Sequence, residues 1–534
     1  MAEETVVFAR KASGLVREMS WFDVLLITIA GPAASGMTYY AVRIPGQFPG
    51  GNAVLAFFIG GLIWLLPVLL IAIYASSFPR SGAMYVVISR ATHPFLGFLP
   101  NWLWVVSTGF SVGFLNYIML IILASVMAVA GEISNSSSLI SAADWLAGDY
   151  NKLWVALAAT VGVWVMELQG LDRLKWFIRI VVYVPLIITI VALLVMVVYD
   201  GPKSWNEVYG AGSYQKVQLA AQQQGVQDAM MSLWGGVGGM LLAVFWAYTA
   251  LESISFVGSE VKTPRTAFMR GMSIGFASVM ALYMLNAWLP TVCFGTDFVR
   301  NYSYLYYTSD ESLAALTTAM GGVTPPSPSI PFYAAVAAKT SWLAIILGVG
   351  FMCWFLNTSV IIWMASVRGL FAMAFDRQIP ISLCNVSKKG VPTTATHVIG
   401  VVGLVGCFIG LGNELGNALS SNMLAILDWT GMFFIWCVGL AGIFLPYTRP
   451  DLFEKSTFQT KWGGIPVMTI MGVAVLCIGW YMILMVGLEL TTTWSQVGLA
   501  AAVTVGFILV AYMYNKNRRE GIDPNQIYAQ IPPS

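Results

Sequence analysis

Twelve long apolar stretches, separated by segments that hold most of the charge, constrain this chain of 534 residues more than any other feature. A helix needs roughly 20 mainly apolar residues to cross about 30 Å of hydrocarbon. Stretches of that kind fall at about 22–43, 52–76, 98–130, 153–169, 177–199, 233–258, 268–293, 341–367, 393–411, 423–446, 465–487 and 495–514. The fourth is short and ends at Glu167. Only 10% of residues are Asp, Glu, Lys or Arg, against about 25% in an average soluble domain. That scarcity excludes an ordinary soluble enzyme. A net charge of +2 and a mean hydropathy of +0.76 exclude a nucleic-acid-binding or disordered chain. The chain reads as an all-α integral membrane protein of twelve transmembrane helices.

Positive residues are retained on the cytoplasmic side of a membrane. With both termini cytoplasmic, 21 of the 27 Lys and Arg fall in cytoplasmic segments, and 6 (Arg43, Lys152, Lys203, Lys216, Arg300 and Lys339) fall outside. A missed or invented span early in the chain would scramble this bias. The long loops, at about 131–152, 200–232 and 294–340, are on the outer side and carry N-x-S sequons at Asn135 and Asn301, open to glycosylation or unused. The first 20 residues have no apolar core of signal length, so the N-terminus is expected to be retained. The six cysteines are scattered in apolar context, which suggests neither a disulfide framework nor a zinc site.

Two spans have centres that a lipid-facing helix could not tolerate. Span 1 carries Gly31, Pro32, Ala33, Ala34, Ser35 and Gly36 in its middle, where proline removes a donor and small residues leave carbonyls uncovered. Alone, this also fits a seam of small residues between packed helices. Span 6 opens on Gly235, Gly236, Gly238 and Gly239 and holds Glu252 within its apolar run, and an ionisable residue inside a span is a functional candidate. The interruptions are five helices apart. Inverted five-plus-five repeats with broken first helices place a substrate site at the midplane. The chemistry that fits is an α-amino acid, with its carboxylate on Ser35 and neighbouring N–H groups and its ammonium on unwound carbonyls. The expected organisation is a cytoplasmic segment at 1–21, one five-helix repeat at 22–199, an extracellular loop at 200–232, a second repeat at 233–446, helices 11 and 12 at 447–514, and a cytoplasmic tail at 515–534.

Four motifs over residues 14–450 resemble the amino acid-polyamine-organocation transporter superfamily: Ala34-Ser35-Gly36-Met37; Phe78 to Tyr85 (FPRSGAMY); Phe245 to Arg265 (FWAYTALESISFVGSEVKTPR); and Ser366-Val367-Arg368 with Phe371 to Pro380, followed by Val391-Pro392. The resemblance implies a leucine-transporter-like fold, with spans 11 and 12 added. It also implies that the Ser35 hydroxyl and Gly36 amide hold a substrate carboxylate. Pro32, Trp246 and Thr249 would then offer backbone carbonyls to the ammonium, while Glu252 responds to protonation and holds spans 1 and 6 together. A buried glutamate capping broken backbone is the rival reading of Glu252.

Two positions depart from the family pattern. Ala34 replaces its first glycine, and span 5 has Pro185 where many members carry a lysine. Span 8 offers adjacent hydroxyls, Thr358 and Ser359, as a candidate cation site, although such hydroxyls also bond their own helix backbone. Tyr117 and Asn116 of span 3 are pocket candidates or mutual partners, and Asp428 of span 10 is a candidate outer gate or, the favoured reading, a residue that reaches interfacial water. His93 and His397 lie near the cytoplasmic surface and make no metal site; Arg368 and Asp376 are expected to anchor the inner end of span 8. These readings favour a secondary active transporter in the cell membrane that carries an amino acid or related amine among membrane lipids. Its coupling ion would be H+ or Na+, with no cofactor, no nucleic acid and no enzymatic chemistry. An uncoupled exchanger and a non-transporting membrane subunit are the alternatives. The pocket offers no certain counter-charge to a charged side chain, which favours neutral or aromatic amino acids.

Overall fold

A computed structural model of the chain describes residues 8–10, 13–411, 414–487 and 493–533, without the side chains of 83, 414–425, 427, 428, 493, 494, 524 and 525. Helices dominate it. In chain order the principal ones are α1 (Trp21–Ala30), α2 (Ala33–Gln47, with a π turn at Gly36–Tyr40), α3 (Ala53–Ser77), α4 (Ala83–Ala91), α5 (Pro94–Ser134), α6 (Asp149–Glu167) and α7 (Leu171–Val198). The second half supplies α8 (Leu233–Tyr248), α9 (Pro264–Phe294), α10 (Ser341–Phe375), α11 (Thr393–Ile409), α12 (Glu414–Thr448), α13 (Val467–Gly487) and α14 (Thr493–Arg519). Shorter helices fill the loops after α5, α7 and α9. A hairpin of Lys461–Trp462 and Ile465–Pro466 is the one sheet among the described residues.

Among the described residues nine helices are long and apolar enough to cross a membrane, and the bent pair α1–α2 makes a tenth. The chain is therefore a multi-pass membrane protein. The expected fourth and ninth spans fall on the helices α6 and α11, which do not meet that measure: α11 has 17 residues, and α6 carries Asp149, Lys152 and Glu167. Burial ranks the helices. Over their most apolar 18 residues α5, α10 and the Trp429–Thr448 part of α12 are each 67% buried and α14 only 11%, so α5, α10 and α12 lie at the centre and α14 at the periphery.

Both terminal segments pack on the same end of this bundle. The amides of Glu18 and Met19 donate to the Glu260 carbonyl, and Arg10 donates to Cys384 O. At the other terminus Arg80, Arg90 and Arg449 donate to the carbonyls of Pro532, Gln530 and Tyr528. Arg90 also grips both oxygens of Asp376, at 2.5 and 3.0 Å. Burial alone would disfavour this cation, yet Asp376 holds its pKa above the ordinary guanidinium value. The motif Phe78–Tyr85 docks here too. Gly82 adopts φ +63°, and a Cβ there would lie 2.6 Å from the Ala372 methyl, so position 82 accepts only glycine.

The chain breaks where the sequence is weakest in helix formers. Ser20 starts α1 with a reciprocal capping box to Asp23; α1 ends at Ala30, and α2 leaves at 59° to it. In the sixth span α8 ends at Tyr248, Thr249 is extended, Ala250 is left-handed at φ 69°, and the chain resumes as a 3-10 turn at Leu251–Phe256. The two breaks touch: a Cβ built on Gly31 would sit 2.4 Å from the Ala250 carbonyl oxygen. Overpacking of this kind costs about 1–3 kcal/mol. We therefore expect Gly31→Ala to lower the melting temperature of the detergent-purified protein. Gly162→Ala, with nothing within 4 Å of the added methyl, should leave it unchanged or raise it.

Candidate functional site

A helix with a proline at its centre has backbone groups to satisfy, and two side chains from other helices meet them. The Thr358 hydroxyl of α10 donates to Ala30 O at 3.0 Å and accepts from Ala34 N–H at 3.2 Å. Ala34 N–H to Ala30 O is the bond an unbroken helix would make between those residues. The hydroxyl is thus inserted into the hydrogen-bond ladder, a recognised cause of sharp bends. From α9, the Tyr283 hydroxyl lies 2.7 Å from Pro32 O and 2.8 Å from Ala247 O, serving one carbonyl from each break. Gly36 makes room for it, since a Cβ there would lie 2.2 Å from the Tyr283 ring.

Between the breaks is a cavity of about 70 Å³, bounded by α5, α10 and Gly431 of α12 as well. It brings together Pro32, Ser35, Trp246, Thr249, Glu252 and Thr358 from the expected set. Trp104 Nε1 donates to Glu252 Oε1 at 2.8 Å, while Glu252 Oε2 has no hydrogen-bond partner. The Trp104 ring stacks on Phe256 at 4.5 Å, which fixes the donor. Beyond Trp246 the ring of Tyr40 packs edge-on at 5.4 Å, and the Arg43 guanidinium lies 4.6 Å from the centre of the Tyr307 ring.

Other expected residues lie elsewhere. Tyr117 does not line the cavity; its hydroxyl donates to Asp149 Oδ1 at 3.1 Å, and Lys152 sits over its ring. Asn116 donates to Thr160. Gly36 supports Tyr283 rather than facing the cavity. The Ser359 hydroxyl donates to Val112 O of α5, so the span 8 hydroxyls diverge onto separate helices. The side chain of Asp428 lies outside the described residues. Arg368 and Asp376 do anchor the end of α10, through Glu260 and Arg90. The sequence reading missed Trp104, Ser107, Thr108 and Ser111, which line the cavity from α5. Their spacing of three to four residues puts them on one helix face, and a polar stripe within an apolar span was the available signal. Tyr283 left no such trace, being a lone tyrosine in an apolar helix.

The family model described as amino acid permease matches residues 19–510. A methylthioribose transporter of Bacillus subtilis is 23% identical over 527 residues, covering 96% of both chains. A branched-chain amino acid permease of the same organism is 21% identical over 477 residues and 86% of both. An uncharacterized transporter of Mycobacterium tuberculosis is 24% identical over 392 residues and 73% of both.

The inserted hydroxyl is directly testable. Thr358→Val keeps the shape but deprives the Ala30 carbonyl and Ala34 amide of their partner, a loss of about 1–3 kcal/mol for a buried group left unpaired. Thermal unfolding should show that loss, and Thr358→Ser should recover most of it. Equal melting temperatures for the valine variant and the wild type would exclude the role.

Proposed function

The chain belongs to the amino acid permease family, and on that premise we propose that it is a secondary active transporter of neutral amino acids working by alternating access. The observation that carries this reading is the cavity where two interrupted helices meet. There the Ser35 hydroxyl and the loosened amides of α2 would hold the carboxylate. Pro32 O already accepts one hydrogen bond, but a carbonyl has two lone pairs, so it can still receive an ammonium group alongside Thr249 O, whereas Trp246 O is already taken by the amide and the hydroxyl of Thr249. The apolar walls and the two tryptophans suit an uncharged side chain. Two relatives are named for methylthioribose and for branched-chain amino acids, neither of which carries a charged side group.

Glu252 is the proposed coupling residue. Its unpaired Oε2 lacks any cation partner among the described residues, which suits a carboxylate that takes and gives a proton. With Trp104 it would form the gate on one side of the cavity, and Trp246 with Tyr40 the gate on the other. The Thr358 hydroxyl is already committed in both directions and Ser359 turns to α5, an arrangement that favours H+ over Na+. The full reading has twelve spans as two inverted five-helix repeats plus helices 11 and 12, in the cell membrane, with both termini cytoplasmic.

The test is uptake by proteoliposomes of a panel of amino acids and amines, driven in turn by a proton and by a sodium gradient. We expect proton-driven accumulation of neutral amino acids. Glu252→Gln should reduce that accumulation at least about tenfold, the equivalent of roughly 1.4 kcal/mol, while exchange of internal for external substrate survives. If no compound is taken up, exchanged or bound, the assignment fails. Accumulation driven by sodium and lost in Ser359→Ala would transfer coupling to that ion.

A further inference from the structure

Five carboxylates are buried among the described residues: Asp23, Glu167, Glu252, Glu260 and Asp376. Three of them have a full set of donors. Arg179 bonds both oxygens of Asp23, at 2.8 and 3.1 Å. Arg90 bonds both oxygens of Asp376, and Tyr85 adds a third bond at 2.8 Å. Arg368 bonds both oxygens of Glu260, at 2.8 and 3.2 Å. Glu252 faces the cavity described above. Glu167, the last residue of α6, fits neither pattern. It is 2% exposed, neither of its oxygens has a hydrogen-bond partner, and its closest cation is Arg368 at 3.7 Å, the guanidinium already spent on Glu260.

Among the described residues no second cation pairs with Glu167: Lys389, which packs against Gly170 just beyond the end of α6, is exposed and forms no ion pair with it. Arg368 and Glu260 are the charged groups that face it. On α7, Lys175 pairs with Asp172 and Glu18, Arg179 with Asp23, and Arg173 bonds Gln169. On α11, His397 accepts from Trp164. On α5, apart from His93 just before its start, the ionisable residues are Tyr117, which donates to Asp149, and Glu132 near its far end. Arg377 on the turn after α10 donates to Phe8 O. Two carboxylates therefore share one guanidinium in a site closed to water. Burying a charge without a partner costs several kcal/mol, and of two carboxylates in one place, one gives up its charge.

We propose that Glu167 is a second proton-binding site, separate from Glu252, that controls the Arg368–Glu260 ion pair. With the proton on Glu167, Arg368 belongs wholly to Glu260. The Glu260 carbonyl in turn receives the amides of Glu18 and Met19, so one ion pair fastens the chain entering α1, the chain leaving the sixth span and the end of α10. When Glu167 ionises it competes for the same guanidinium and loosens that fastening. The proton site stands on the charge balance alone; its effect on gating rests on the transport reading above.

The test is infrared difference spectroscopy of the purified full-length protein in lipid nanodiscs without substrate, following the C=O stretch of protonated carboxyl groups at neutral pH. We expect a band that is lost in Glu167→Gln and retained in Glu252→Gln. Glu260→Gln, which frees the fork of Arg368 to pair with an ionised Glu167, should abolish the same band, so the proposal stays testable if Glu167→Gln fails to fold. A band untouched by both the Glu167 and Glu260 substitutions, or no band assignable to Glu167, would overturn it. Because no transport is measured, this outcome is independent of the uptake assay.

Discussion

A single hydroxyl inserted between Ala30 and Ala34 decides the shape of the first span. The backbone of α1 and α2 cannot be straight while Thr358 occupies the place of their shared hydrogen bond, and Pro32 beside it removes a donor that a straight helix would need. The 59° bend that follows brings Gly31 against Ala250 and aims the carbonyls of both breaks at Tyr283. The cavity is the space left by these contacts. Its existence depends on polar groups being answered by specific side chains in a region where water cannot answer them.

The large features of the fold were legible because hydrocarbon imposes a length and an apolarity on anything that crosses it. The breaks were legible too, since Gly31, Pro32, Gly36 and Glu252 are residues a lipid-facing helix would not hold. What the sequence could not supply was pairing between distant segments. Thr358 and Ser359 are neighbours in the chain, but a helix turns about 100° per residue, and their hydroxyls end on different helices. Tyr117 was one position away from the polar face of α5 that carries Ser107, Thr108 and Ser111, and that single step sent it to Asp149 instead. The fourth span was the weakest on composition and remains so as α6, whereas nothing in the sequence marked the ninth, which is α11 at 17 residues.

Most of the buried charges among the described residues, Glu252 and Lys152 apart, gather at one end of the bundle. Arg90, Asp376, Arg368, Glu260 and Glu167 lie beneath the segments that lead into and out of the cavity-lining helices, and the terminal tail closes over Arg80, Arg90 and Arg449. Ion pairs in such a place are poor sources of stability, because desolvation offsets most of their attraction. Their value lies in discreteness: a guanidinium fork is either on a carboxylate or off it. A device that changes state on binding one proton can be built from such parts, whereas a purely apolar seam would only slide.

The contact between Gly31 and Ala250 has a mechanical consequence. Main chain meets main chain there, with no side chain between them to change rotamer and take up slack. A joint without compliance transmits displacement undiminished, so a shift of either interrupted helix at this point is passed to the other.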